Sequence, residues 1–130
     1  DSEEEILNHI ISYVGIGARA FQVAEIAKTN LNFNGLEIDI TNRLVRKQRQ
    51  EIDLTFIEFE VLYLLANNPG RVFSKEQIYD VVWKESYSGD YNIVMSHIHN
   101  IREKIEDNPS KPVYIQTVWG VGYRFNQKML

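Results

Sequence analysis

An α+β fold is predicted, with a small antiparallel sheet first, three helices next and a β-hairpin last. Three observations predict it. Short alternating apolar runs broken by turn residues fill residues 31 to 54, two capping boxes open helical patterns at Thr55 and Ser74, and a strand-turn-strand pattern with paired glycines closes the chain.

The 130 residues suffice for one domain with a real core and are too few for two. One globular unit plus an appendage is expected. There is no run of 18 apolar residues and no charged start followed by an apolar stretch and cleavage site, so neither a membrane span nor a signal peptide is expected. The chain contains no cysteine, which excludes disulfides and thiolate metal sites. It opens with Asp1 rather than Met, as expected of a piece excised from something longer.

Net charge is −4, which argues mildly against a phosphate-gripping protein until it is divided along the chain. Residues 1 to 30 hold Arg19 and Lys28 against Asp1, Glu3, Glu4, Glu5 and Glu25, a net −3 that leaves −1 for residues 31 to 130. The basic groups of that larger part are free to cluster on one face.

Ser2 and Glu5 form a capping box, and Ile6, Leu7, Ile10, Ile11 and Val14 recur at helical spacing until Gly15 and Gly17. An N-terminal helix is expected there, with an apolar stripe that either packs in cis or mediates self-association. Residues 18 to 30 lack a clear period and read as a linker or weak helix. The runs LNF, LEIDI, RLVRK and EIDL, separated by Asn34-Gly35, Thr41-Asn42 and polar Gln48 to Gln50, predict about four antiparallel strands.

Thr55 and Glu58 box the first helix of the larger unit, with Leu54 able to staple on Phe59. That helix is expected to run to about Asn67, with Phe56, Phe59, Leu62, Leu65 and Ala66 inward and Asn68-Pro69-Gly70 ending it. Ser74 and Gln77 box a second helix through about Trp83, stapled by Phe73 and Ile78. Asp90 caps a third, spanning 90 to 107, which Asn108-Pro109 terminates. At 100° per residue Val94, Ile98, Ile101 and Ile105 share one arc and face the core, while Asn92, Ser96, His99, Asn100 and Glu103 face outward. Residues 113 to 118 alternate as a strand, and Gly120 and Gly122 permit a tight turn before Tyr123-Arg124-Phe125 returns.

A small sheet, three helices and a C-terminal hairpin together make a winged helix-turn-helix. Residues 31 to 125 resemble the DNA-binding effector domain of OmpR/PhoB-type bacterial response regulators. The resemblance lies in Leu54-Thr55 with Glu58-Phe59 and Leu62-Leu65, and in the string from Pro69 to Ile78 (PGRVFSKEQI) with Val82-Trp83. It continues in His97-Ile98 with Ile101-Arg102 and Lys104-Ile105, and in the string from Ile115 to Phe125 (IQTVWGVGYRF). Residues 3 to 14 look like the last helix of a receiver domain, although 30 residues supply neither that fold nor its acceptor aspartate.

The resemblance implies a cytoplasmic transcription factor that binds double-stranded DNA as a homodimer and contacts RNA polymerase. A histidine kinase would act on it only through a receiver domain absent from these residues. It implies that the third helix enters the major groove, with Asn92, Ser96, His99 and Asn100 as base-contact candidates. Asn pairs bidentately with adenine, while Ser and His discriminate less. Lys75, His97, Arg102, Lys104, Thr117 and Tyr123 are candidates for the DNA backbone, and Trp119, Gly120, Val121 and Gly122 form the wing. Lys84, Glu85 and Tyr87 occupy the loop implied to meet polymerase, or a plain solvated connection.

The sequence departs from the family pattern at His99-Asn100, where two basic residues are usual, and at Glu103 beside them. Weak binding by a monomer is therefore expected. Trp119 replaces an arginine common at the wing, and two readings stand equal: packing across the hairpin, or exposure toward DNA. A winged helix used for protein contact is the alternative function. His97 and His99 diverge by about 200° on a helix and no further ligand accompanies them, so no metal is expected. Neither a cofactor nor an enzyme is expected, since the chain contains no nucleophile elbow, phosphate-binding glycine loop or zinc-protease motif.

Overall fold

The computed structural model describes residues 30–84 and 90–129. The expected N-terminal helix and most of the linker, together with Glu85 and Tyr87 of the loop after the second helix, lie outside the described residues.

Four short strands, β1 (Asn30–Phe33), β2 (Leu36–Asp39), β3 (Leu44–Lys47) and β4 (Gln50–Ile52), form a sheet in sequential order. Strands β2 and β3 pair antiparallel with Ile38 opposite Val45, and β3 and β4 with Lys47 opposite Gln50. Alternation buries Leu36 and Ile38 on one face, as a half-buried strand requires. The tight β3–β4 turn falls on Gln48 and Arg49, both at positive φ (50° and 69°), the combination a type I′ hairpin turn needs. At Asn34-Gly35 only the glycine takes positive φ.

Helix α1 (Phe56–Ala66) begins with the expected box: Thr55 accepts from the Glu58 N–H while the Glu58 carboxylate accepts from the Thr55 N–H. Its buried residues run from Val61 to Phe59 around an arc of about 160° at 100° per residue. Phe56 lies beyond that arc, which corrects its expected inward placement. It is 65% exposed, and the Arg43 guanidinium lies over its ring at 4.5 Å and over that of Phe59 at 4.3 Å. Helix α2 (Lys75–Trp83) opens with the second box and buries Ile78, Tyr79 and Val82.

Helix α3 (Tyr91–Ile105) buries Val94, Ile98, Ile101 and Ile105 completely or nearly so, the expected core stripe. It ends before the expected 107 because Glu106 turns extended and its buried carboxylate accepts the backbone N–H groups of Val113, Tyr114 and Ile115. Those amides thereby gain a partner where the chain re-enters the core, and the following strand starts later than expected. Strand β5 (Ile115–Val118) pairs with β6 (Gly122–Phe125), Ile115 opposite Phe125. One core joins all layers: Phe33 of the sheet meets Phe125 of the hairpin at 4.4 Å between ring centres. No described helix is long and apolar enough to cross a membrane.

Candidate nucleic-acid interface

With one face of α3 held in the core, its other face is presented to solvent. Asn92, Ser96, His99 and Asn100 are all exposed and line one shallow depression. The four base-contact candidates therefore lie together. Met95, half exposed, shares the depression, and nothing in the sequence reading singled it out. Its signal was available: at 100° per residue it sits only about 40° from His99. Exposed Glu103 is on the same side of the helix.

The hairpin stands beside this face and is fixed by three attachments. The Arg102 guanidinium, half-buried, donates from Nε and Nη2 to the Ile115 carbonyl and from Nη2 to Thr117 Oγ1, at 2.8–3.2 Å. Burial pulls the Arg102 pKa down, and the Tyr123 ring 5.7 Å away and Glu106 offset part of that. Burial likewise raises the Tyr123 hydroxyl, against the pull of Arg102. Second, Tyr123 and Phe73 exchange both backbone hydrogen bonds (2.8 and 2.9 Å), tying β6 to the segment that leads into α2.

Third, Gly122 lets that segment approach: a Cβ there would stand 2.0 Å from the Phe73 carbonyl oxygen. Its φ is not positive, so Gly122 serves close approach and not, as expected, the turn. The turn belongs to Gly120 (φ 78°), at the third position of a Val118–Val121 turn closed by a 2.9 Å hydrogen bond.

Several backbone candidates have partners inside the domain. Lys104 Nζ lies 2.6 Å from the buried Glu58 carboxylate. Burial alone would raise that carboxyl, but the hydrogen bonds from Lys104 and the Thr55 N–H outweigh it and leave its pKa below the usual carboxylate value. His97 Nδ1 is 2.6 Å from the Ile93 carbonyl, and its ring stands edge-on to Trp83. Thr117 and Arg102 hold each other. Lys75, the first residue of α2, borders the groove between α3 and the hairpin and has Glu76 at 3.9 Å. Lys84 caps α2 in the left-handed region, exposed. At the wing Trp119 is 88% exposed, so it does not pack across the hairpin. His99 is exposed while His97 is half-buried, and no group of three metal-ligating side chains occurs among the described residues.

The model of the family described as "Transcriptional regulatory protein, C terminal" matches residues 49–125. A transcriptional regulatory protein of Bacillus subtilis, YcbL, itself described as uncharacterized, is 47% identical over 97 residues, covering 75% of this chain and 43% of the relative. Among solved structures, the Thermotoga maritima response regulator DrrB, an OmpR/PhoB homologue, superposes with a TM-score of 0.72 at 33% identity, over 87% of this chain and 54% of that one. The Klebsiella pneumoniae RstA DNA-binding domain, solved in complex with the RstA box, gives 0.70 at 29% identity, over 75% and 96%. The chain thus spans about half, or less, of the length of YcbL and DrrB.

Proposed function

We infer the function from one premise: the chain belongs to the OmpR/PhoB-type family of transcriptional-regulator C-terminal domains. It acts as a sequence-specific DNA-binding domain, with α3 in the major groove and the β5–β6 wing at the minor groove of double-stranded DNA. This family is one of regulators and not an enzyme class. The observation that carries the reading is the set Asn92, Ser96, His99 and Asn100, which gathers hydrogen-bonding groups on the solvent face of a helix whose other face is locked in the core. Base edges in a major groove are read by such groups. The RstA domain supports it further, being a similar fold solved on its own DNA box.

Within this reading, Lys75 and Tyr123 border the groove where a DNA backbone would pass and are the proposed phosphate contacts. Arg102, Lys104, Thr117 and His97 act chiefly by positioning, since their side chains are held in part-buried hydrogen bonds of 2.6–2.8 Å within the domain. A homodimer on repeated half-sites, contact of the segment beginning at Lys84 with RNA polymerase, and a cytoplasmic location go with the reading and rest on family resemblance. A winged helix used for protein contact is the second reading, favoured by exposed Glu103 on the α3 face.

Selection from a random duplex library followed by sequencing tests the two. An enriched motif is expected. Asn100→Ala is expected to relax one position of it by about tenfold to a hundredfold, the weight of one bidentate base contact. No enrichment at low salt overturns the DNA reading in favour of protein contact.

A further inference from the structure

Three of the six large apolar side chains that are conspicuously exposed among the described residues, Met95 (49%), Trp119 (88%) and Val121 (58%), line one groove between α3 and the wing. Its remaining lining is Lys75 and the hairpin residues from Thr117 to Tyr123, so the charged side chain among the lining residues is a cation. The wing tip from Val118 to Gly122 carries no charge at all. The other three, Phe56, Val81 and Val113, do not line this groove, so among the described residues half of the exposed large apolar side chains converge here.

Resting on the DNA-binding reading, we propose that the wing of this chain holds DNA by apolar contact, with Trp119 as its principal specificity-determining group and Met95 opposing it across the groove. A sugar–phosphate strand has the complementary pattern: apolar deoxyribose faces for Trp119, Val121 and Met95, and anionic phosphates for Lys75. An acidic peptide would match the cation but offers no continuous apolar edge. An indole cannot supply the positive charge that a narrow, strongly negative minor groove attracts, so the wing selects for groove shape and steric fit and not for potential. Its binding contribution releases no counterion.

The test is a titration of the full chain against its selected duplex at several salt concentrations, with Trp119→Ala, Trp119→Phe and Trp119→Arg. All four proteins are expected to melt alike, because Trp119 is almost wholly outside the core. Trp119→Ala weakens binding about tenfold at every salt concentration, a magnitude in the range found for aromatic contacts with nucleic acid, and leaves the slope of log K against log salt unchanged. Trp119→Phe recovers most of the loss. Trp119→Arg steepens the slope by about 0.9 and shifts preference toward narrow A-tract minor grooves.

Unchanged affinity in Trp119→Ala overturns the proposal while leaving DNA binding through α3 intact. So does a Phe variant as weak as the Ala variant, which would assign the contact to the indole N–H. A Trp119→Ala effect on self-association in sedimentation, with DNA affinity unmoved, would assign the patch to a protein contact. A wild-type chain that binds no duplex overturns the DNA reading itself, and this proposal with it.

Discussion

Replacing Lys104 with methionine is expected to lower stability by about 2 kcal/mol and to leave the salt dependence of DNA binding as it was. Removing one partner of a fully buried ion pair costs about 3–5 kcal/mol, because the charge left behind is uncompensated. Here the carboxylate partner, Glu58, is 4% exposed but the Lys104 side chain is 36% exposed, and the Thr55 N–H still donates to Glu58 at 3.0 Å. The lower figure follows from that screening, and methionine keeps the packing of the lysine stem. In a domain of this size the loss is a fall in Tm of about 8–15 °C.

The pH dependence follows in sign. The Glu58 carboxyl is held below its ordinary value of 4.5, so its contribution is fully present above that pH and is lost as pH falls through the lower folded value. The gap between wild type and Lys104→Met therefore closes in acid. Urea unfolding at pH 7 and pH 3, with fluorescence titrations of DNA at several salt concentrations, measures both halves. An unchanged stability together with a salt slope smaller by about one unit would refute the assignment and make Lys104 a phosphate ligand.

Gly122→Ala is expected to be more damaging than Gly120→Ala. Its new Cβ meets the Phe73 carbonyl at 2.0 Å and forces apart two backbone hydrogen bonds, about 2 kcal/mol or more by thermal melting, whereas at Gly120 the space is open and only the positive φ costs about 1 kcal/mol. The reverse order would disprove the close-approach role. Glu106→Gln presents an NH₂ to amides that need an acceptor, so a loss of about 2 kcal/mol is expected; a loss under about 0.5 kcal/mol would show that water replaces the carboxylate.

What the sequence made legible was governed by neighbours within four residues. The boxes at Thr55 and Ser74 and the stripe Val94, Ile98, Ile101 and Ile105 are local arrangements, and each reappears in the structure with the expected partners. Illegible features depended on distant chain. The early end of α3 is set by a carboxylate reaching amides seven to nine residues on, and the purpose of Gly122 by a backbone from another part of the chain. The type I′ turn at Gln48-Arg49 carries no glycine to announce it; sheet pairing on both sides imposes the positive φ values. At the interface the outward residues of α3 were readable from angle alone, but Lys104 and Arg102 look like free cations in sequence and are engaged only once α1 and β5 are in place.

The last paired rung of the hairpin, Val118 opposite Gly122, separates two regions with different obligations. Below it, the strands are answerable to Phe73, to Arg102, to the core or, at Gln116 and Arg124, to each other. Above it, Trp119, Gly120 and Val121 answer only to the turn, and nothing lies within 4 Å of a Cβ placed on Gly120. The recognition proposed for Trp119 and the folding of the hairpin thus fall on separate side chains, so positions 119 and 121 can be exchanged at little cost to the fold while Gly120 keeps the positive φ of the turn. On the reading proposed above, a change of DNA preference at these two positions then requires no compensating change in the rest of the domain.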